Sequence, residues 1–165
     1  MKQLRLQTIC SLIPKVEVIA DIGTDHGMVA EFIIKNNLCN TLIVNDISKL
    51  SLQKAVDRLS KFDTVVAGIN RPKIIFADCC GSEVTHKTNI QIICAVIAGM
   101  GGKEILKIME GLKPQEAVLS PQKNVDIVRV ELVEMGYSII EDLEITDKKK
   151  RYNIIKVQTA DCNRH

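Results

Sequence analysis

The 165-residue sequence contains no tryptophan and only 3% aromatic residues, and it has no long hydrophobic run. Its longest apolar stretch, residues 92–100, is about strand length, whereas a helix that crosses a bilayer needs roughly 20 apolar residues. The amino-terminal segment also lacks an apolar region that ends in a small-residue cleavage site, so it does not resemble a signal peptide. At about 150 residues per domain, we expect a single domain, residues 1–165. Because neither a membrane span nor a signal peptide is indicated, we expect this domain in the cytoplasm.

An excess of one charge is also missing. Lys and Arg number 22 against 20 Asp and Glu, which leaves a formal net charge of +2. No strongly basic field therefore indicates a nucleic-acid partner, and such a partner would need a local patch. Residues 148–151, Lys-Lys-Lys-Arg, are a candidate patch that either contacts phosphates or is only a solvated turn.

Metal-binding spacings are absent from the sequence. The three histidines, His26, His86 and His165, are scattered, and no C-x-x-C or H-x-x-x-H pair occurs. The six cysteines are irregularly spaced, at positions 10, 39, 79, 80, 94 and 162. A chain of this size needs no disulfide framework, so we expect reduced thiols and no metal site.

Short apolar, β-branched runs alternate with longer segments of mixed polarity, which is typical of a parallel sheet with crossover helices. The predicted strands are 16–20, 41–45, 73–77, 92–98 and 117–119. The predicted helices are 28–35, 51–62, 103–112 and 125–134, with Ser48 near the cap of the second and Gly136 after the last. Two further strands, 137–145 and 152–157, flank a charged turn. We predict a doubly wound α/β sheet closed by an antiparallel hairpin.

Acidic residues follow three of these strands: Asp21 and Asp25 in the run D-I-G-T-D-H-G, then Asp46 and Asp78. In open parallel sheets, ligands bind beyond the carboxyl ends of the strands. The first turn lacks G-x-G-x-x-G, whose glycines let backbone amides approach a pyrophosphate, so a diphosphate cofactor is not expected. Carboxylates can accept hydrogen bonds from ribose hydroxyls and an exocyclic amine and can attract a cation. The pattern predicts S-adenosylmethionine, an adenosine joined to a sulfonium and an ammonium.

Each of these residues has a structural alternative. Asp25 could simply form a turn, and Asp46 could cap the following helix. The glycines around Met100 indicate close approach of the backbone to a ligand, or only a tightly packed turn. Gln122, after the fifth strand, could recognise a base edge or be an ordinary polar loop residue.

Taken together, the motifs resemble one family. Residues 21–26 resemble the D-I-G-S/T-D-H motif of the bacterial tRNA (adenine-N1)-methyltransferases that modify adenosine 22, and residues 97–102 are similar to the family's A-G-M-G-G block. Shorter elements agree along nearly the whole chain: Arg5-Leu6, Ile13-Pro14, Ser120-Pro121-Gln122, Arg129, Leu132, Gly136, Glu141 and Tyr152. The resemblance implies a seven-stranded, Rossmann-like S-adenosylmethionine-dependent methyltransferase fold, with N1 of a tRNA adenosine as methyl acceptor.

The sequence departs from the family at two places. The family usually continues with A-Y-L-P after the D-H pair, whereas residues 27–30 are Gly-Met-Val-Ala. Family members also usually carry a helical extension after this core. We expect this chain to be the catalytic core without that extension, and to bind tRNA weakly and with a marked salt dependence.

We expect Asp25 and His26 to act in catalysis beside the methyl donor, with Asp25 holding either the cofactor ammonium or the cationic adenine. The expected cofactor contacts are Asp21, Gly23, Asp25, Asp46, Ile47, Asp78, Cys79 and Gly99. The expected substrate contacts are Met100, Gly101, Gln122, Lys148, Lys149, Lys150 and Arg151. The alternatives are a methyltransferase for another substrate, or an inactive S-adenosylmethionine-binding module that regulates a partner.

Overall fold

The computed structural model describes residues 4–62 and 71–160, so Cys162 and His165 lie outside the described residues. The strands are β1 Val18–Ile22, β2 Thr41–Asn45, β3 Lys73–Ala77, β4 Cys94–Ala98, β5 Glu116–Ser120, β6 Tyr137–Asp147 and β7 Lys150–Thr159. The helices are α1 Leu4–Ser11, α2 Met28–Lys35, α3 Lys49–Leu59, α4 Val84–Thr88, α5 Gly102–Leu112 and α6 Val125–Glu134. Short 3-10 turns cover Ser60–Phe62 and Gly81–Glu83.

The strands described form one seven-stranded sheet in the order β3-β2-β1-β4-β5-β7-β6. Strands β1 to β5 are parallel, and β7 runs antiparallel to both β5 and β6. The strand order reverses between β1 and β4, which makes the crevice at their carboxyl ends the topological switch point. The predicted doubly wound sheet with a carboxyl-terminal antiparallel hairpin is confirmed.

Apolar side chains are buried on both faces of the sheet. In β1, Ile19 belongs to the layer packed under α1, α2 and α3, whereas Ala20 and Ile22 belong to the layer packed under α5 and α6. Successive strand residues point to opposite faces, so a strand covered on both sides reads as a nearly continuous apolar run. No helix in the described residues is long and apolar enough to span a membrane.

Helix α1 and the short helix α4 were not predicted, and β1 lies two residues further along the chain than expected. The sequence interpretation ended β1 before its acidic residue, but Asp21 lies inside the strand, paired with Val44 on β2 and Val96 on β4. Burial between two neighbouring strands thus overrides the low strand preference of aspartate.

The hairpin turn is tighter than the predicted charged segment 146–151. Strands β6 and β7 continue to Asp147 and from Lys150, and only Lys148 and Lys149 form the turn, both with positive φ angles of 50° and 66°. Two-residue turns of this kind favour Asn-Gly, so a pair of lysines gives no sequence signal for them.

Candidate functional site

A pocket of about 440 Å³ opens at the carboxyl ends of β1, β2, β4 and β5. Its volume lies within the roughly 300–1,000 Å³ of typical small-molecule sites. Nine residues of the sequence prediction line it: Asp21, Gly23, Asp25, His26, Asp46, Ile47, Gly99, Met100 and Gln122. The structure therefore brings most of the predicted site together at the switch point.

Asp21 is the most deeply buried acid of the pocket, with only 4% of its surface exposed. Its Oδ2 atom accepts a hydrogen bond from Thr24 Oγ1 at 2.7 Å. The pKa of Asp21 is raised to about 6, mainly by burial and to a smaller extent by the nearby Asp46, and hydrogen bonds from Thr24 and the Ala30 backbone oppose the shift. A cationic ligand would favour the charged form of this carboxyl group.

The first turn depends on a glycine. Gly23 has a φ of 69°, and a Cβ atom there would overlap the side chain of Met100. The positive φ favours glycine at this position, and any Cβ atom there would also force the flexible end of Met100 to move. This contact joins the turn after β1 to the loop after β4 across the strand-order reversal.

Asp25 and His26 lie at the pocket mouth, where their side chains are 66% and 47% exposed. The distance from Asp25 Oδ2 to His26 Nε2 is 3.7 Å. The backbone oxygen of His26 accepts a hydrogen bond from Arg58 Nε at 2.6 Å, which anchors the turn to α3. Asp25 has a φ of 50°, a conformation that Asp and Asn adopt more readily than most residues. The turn-forming alternative for Asp25 thus has a physical basis and stands beside the catalytic prediction.

Asp46 ties the ends of β1 and β2 together. Its Oδ2 accepts from the backbone N–H of Asp25 at 3.1 Å, and its Oδ1 accepts from the backbone N–H of Ser48 at 2.8 Å. Ser48 is the N-cap of α3, because its hydroxyl accepts from the backbone N–H of Ser51 at 3.2 Å. The alternative that Asp46 caps this helix is wrong. The neighbouring Ile47 is 70% exposed and lies at the pocket wall.

Two predicted cofactor contacts do not reach the pocket. Asp78 is exposed and Cys79 is buried, and neither lines the cavity. Asn45 Nδ2 donates to the backbone oxygens of Ala77 and Cys79 at 2.9 and 2.8 Å. This anchors the chain after β3 to β2, so that the next two residues, Cys80 and Gly81, form the pocket wall.

The predicted substrate residues divide into two groups. Met100 and Gln122 line the pocket, and the backbone N–H of Gln122 donates to the backbone oxygen of Met100 at 2.9 Å. Gly101 is the N-cap of α5 and does not line the pocket. Residues 148–151 form the tip of the hairpin outside the lining, and Arg151 is exposed.

Several lining residues were missed by the sequence interpretation. Helix α1 contributes Arg5, Leu6 and Ile9, and α5 contributes Glu104. Because α1 was not predicted, nothing in the sequence placed its side chains beside β1 and β4. The only signal was the R-L pair at residues 5–6, which the resemblance included without assigning it a role. Among the described residues, no group of His, Cys, Asp and Glu has the arrangement of a metal site.

The chain matches a family model described as a methyltransferase domain over residues 2–155. It belongs to this methyltransferase family. The methyltransferase prediction is therefore confirmed.

Individual relatives agree with the motif resemblance. The chain is 28% identical over 162 residues to the tRNA (adenine(22)-N(1))-methyltransferase of Bacillus subtilis, covering 95% of this chain and 65% of that protein. It is also 28% identical over 158 residues to a putative tRNA methyltransferase of Mycoplasma genitalium, covering 93% of this chain and 68% of that protein. The resemblance to the tRNA (adenine-N1)-methyltransferases is confirmed. The chain spans less than two thirds of the length of the Bacillus subtilis protein.

Solved structures show the same fold. TrmK of M. capricolum, solved with S-adenosylhomocysteine, superposes with a TM-score of 0.81 at 25% identity, covering 97% of this chain and 70% of that one. A putative tRNA methyltransferase of Streptococcus pneumoniae, solved with S-adenosyl-L-methionine, gives a TM-score of 0.79 at 22% identity, covering 96% and 73%. The predicted Rossmann-like methyltransferase fold is confirmed.

The raised pKa of Asp21 predicts a specific pH dependence of stability. The folded-state pKa of about 6 lies above the value of about 3.9 expected in an unfolded chain. Between these values the folded state binds more protons, so this group lowers the free energy of unfolding as pH rises from 4 to 7. Relative to Asp21→Asn, the wild type should lose roughly 1–3 kcal/mol over this interval, measured by urea unfolding at each pH.

Glu110→Gln is the matched control, because Glu110 is an exposed acid on α5 outside the pocket. Its stability should follow the wild type across the pH range. Parallel curves for the wild type and Asp21→Asn would contradict the raised pKa.

Proposed function

We propose that this chain transfers a methyl group from S-adenosylmethionine to N1 of an adenosine in tRNA, at position 22. The observation that carries the proposal is the acidic pocket at the strand-order reversal of a methyltransferase-family chain, with Asp21 and Asp46 at its base. The names of the relatives support the acceptor and its position. Because tRNA is the acceptor, we place the reaction in the cytoplasm.

The pocket residues fit this cofactor. Each carboxylate oxygen of Asp46 accepts one backbone N–H and can accept a further hydrogen bond, so two ribose hydroxyls can be bound there. The buried Asp21 carboxyl favours a cationic neighbour, which the sulfonium and ammonium groups provide. Exposed Ile47 offers an apolar surface for the adenine ring beside Asp46.

The reaction needs alignment more than acid–base chemistry. When bound, the cofactor supplies a methyl carbon whose bond to sulfur breaks as the lone pair of adenine N1 attacks it. The acceptor base becomes cationic, so carboxylates at the pocket mouth stabilise the product charge. Asp25 and His26 are exposed at that mouth and line the same pocket as Met100 and Gln122, where an unstacked base can enter. Asp25 holds either the cofactor ammonium or this adenine cation.

The experiment that tests the function is transfer of a labelled methyl group to unmodified tRNA, followed by nucleoside analysis. We expect 1-methyladenosine, lost when the acceptor adenosine is replaced. Label in another nucleoside would indicate a methyltransferase with a different target. Cofactor binding without transfer to any tRNA would favour the regulatory module instead.

In the same assay, Asp25→Asn should lower methyl transfer at least tenfold. Asn also adopts positive φ, so the turn is retained while the charge is lost. Weaker cofactor binding would assign Asp25 to the ammonium, and normal binding with a slower single turnover would assign it to the adenine cation. Asp57→Asn, on the exposed face of α3, is the control. If Asp25→Asn bound the cofactor normally and transferred the methyl group at the normal rate, Asp25 would only form the turn.

Asp46→Ala should weaken S-adenosylmethionine binding by roughly 1–3 kcal/mol, because two ribose hydroxyls lose a charged acceptor. Calorimetric titration measures this, and NAD should not bind to either protein. Ser48→Ala is the matched control, because it removes the α3 cap and lowers stability without touching the ribose site. Equal cofactor affinity in the wild type and Asp46→Ala would exclude Asp46 as a ligand.

Neutralising residues 148–151 should weaken tRNA binding and flatten its salt dependence while cofactor affinity stays unchanged. Lys148→Asn and Lys149→Gly keep the positive-φ turn, and Lys150→Gln and Arg151→Gln complete the variant. Filter binding across a salt series measures the slope. Lys54→Gln with Lys107→Gln, both on exposed helix positions, is the control. An unchanged slope in the hairpin variant would place the tRNA surface elsewhere.

A further inference from the structure

A second cavity, of about 700 Å³, lies between α1 and α2. Its lining residues recur at helical spacing: Leu6 and Cys10 on α1, and Met28, Phe32 and Lys35 on α2. Leu6 and Met28 also line the first pocket, so the two cavities meet at these side chains. We call this second cavity the α1–α2 groove.

The wall of the groove is largely apolar. Leu6, Met28 and Phe32 belong to neither of the two apolar layers that the described residues form on the faces of the sheet. Met28 is 39% exposed, and Phe32 is a half-buried aromatic residue in a chain that has no tryptophan. Aromatic and thioether side chains that the core leaves uncovered offer a surface on which a nucleobase can stack.

Three cations surround one carboxylate, that of Glu31, beside this apolar wall. The Oε1 atom of Glu31 accepts from Lys35 Nζ at 2.8 Å and from Lys61 Nζ at 2.7 Å, and its Oε2 atom accepts from Arg58 Nη1 at 2.8 Å. The Glu31 side chain is only 12% exposed, whereas the two lysine side chains are 57% and 54% exposed. The cluster therefore covers its single negative charge and presents cations to the solvent.

The cations exceed what the contact between the helices needs. Arg58 already joins α3 to Glu31 on α2, and it also donates to the backbone oxygen of His26 at 2.6 Å. Lys35 and Lys61 pair with no second carboxylate in the described part of the chain. Exposed ion pairs of this kind add little stability. With three positive charges and one negative charge, the cluster keeps an excess of two, which favours a phosphate.

We propose that the α1–α2 groove binds the nucleotide next to the methylated adenosine of tRNA, with its base against Phe32 and its phosphate on Lys35 and Lys61. This inference rests on the proposed function and extends it to a second nucleotide. Because the groove meets the first pocket at Leu6 and Met28, a strand whose acceptor base enters the pocket can continue into the groove. Single-stranded nucleic acid combines a stacking base with an anionic backbone, and the groove has a partner for each.

The phosphate contact is tested with Lys35→Gln combined with Lys61→Gln, which retains the arginine that joins the helices. In methyl transfer to unmodified tRNA, KM should rise about five- to tenfold, and the salt slope of tRNA binding should fall by about one to two. The rate kcat and the calorimetric affinity for S-adenosylmethionine should stay within about twofold of the wild type. Lys87→Gln with Lys107→Gln is the matched control, because it removes two exposed charges from α4 and α5, outside both cavities.

The base contact is tested with tRNAs that lack one base, on either the 5′ or the 3′ side of the acceptor adenosine. In filter binding, one of these two abasic tRNAs should bind the wild type about tenfold more weakly than intact tRNA. In Phe32→Leu this ratio should fall below about threefold, because the side chain stays apolar but loses its ring. Phe76→Leu, on β3 and outside both cavities, should keep the ratio.

Equal ratios in the wild type and Phe32→Leu would overturn the base contact, and an unchanged KM and salt slope in the lysine variant would overturn the phosphate contact. A groove variant that changed the oligomeric state but not tRNA binding would make the groove an interface between copies of the chain, against the proposal. If the wild type methylated no tRNA, the proposed function itself would fail. Normal methylation that is insensitive to every groove variant would contradict only the role of the groove.

Discussion

The reversal of strand order between β1 and β4 is the constraint on which the site depends. Helices α2 and α3 pack on one face of the sheet, whereas α5 and α6 pack on the other. The chain therefore leaves β1 and β4 towards opposite faces, and a crevice opens between the two loops. Gly23 and Met100 touch across this crevice, and Asp46 joins its floor to the end of β2. The position of every proposed cofactor contact follows from this arrangement.

The site has a cost in stability. Asp21 is a carboxyl group buried at the centre of the sheet, and Arg5 has a buried Nη2 atom without a hydrogen-bond partner among the described residues. Each would be more stable in water, and each becomes favourable when a ligand of opposite charge lies beside it. Binding of the proposed cofactor would therefore also raise the stability of the folded state.

The two ends of the described chain meet beside the pocket. The backbone N–H of Arg5 donates to Asp147 Oδ2 at 3.1 Å, and the Arg5 side chain lies over Tyr152. The hairpin therefore does more than close the edge of the sheet, because it supports the helix that provides the only arginine in the described lining. Its exposed basic tip extends from the same two strands, so the proposed tRNA contact and the cofactor site share one structural support.

The sequence by itself determined the sheet, because apolar runs and polar helices alternate along the chain. It also located the pocket, because Asp21 lies near the end of one buried strand and Asp46 and Gly99 follow two others. Only the tertiary structure showed that Asp46 binds backbone amides while Ser48 caps α3, since both residue types serve as caps. Only the structure placed Cys80 in the pocket instead of Asp78, because Asn45 anchors the chain after β3. The sequence also could not predict that Arg5 lies in the pocket wall. This position depends on contacts with Ser120 and Tyr152, which are more than 100 residues away and are brought together only by folding.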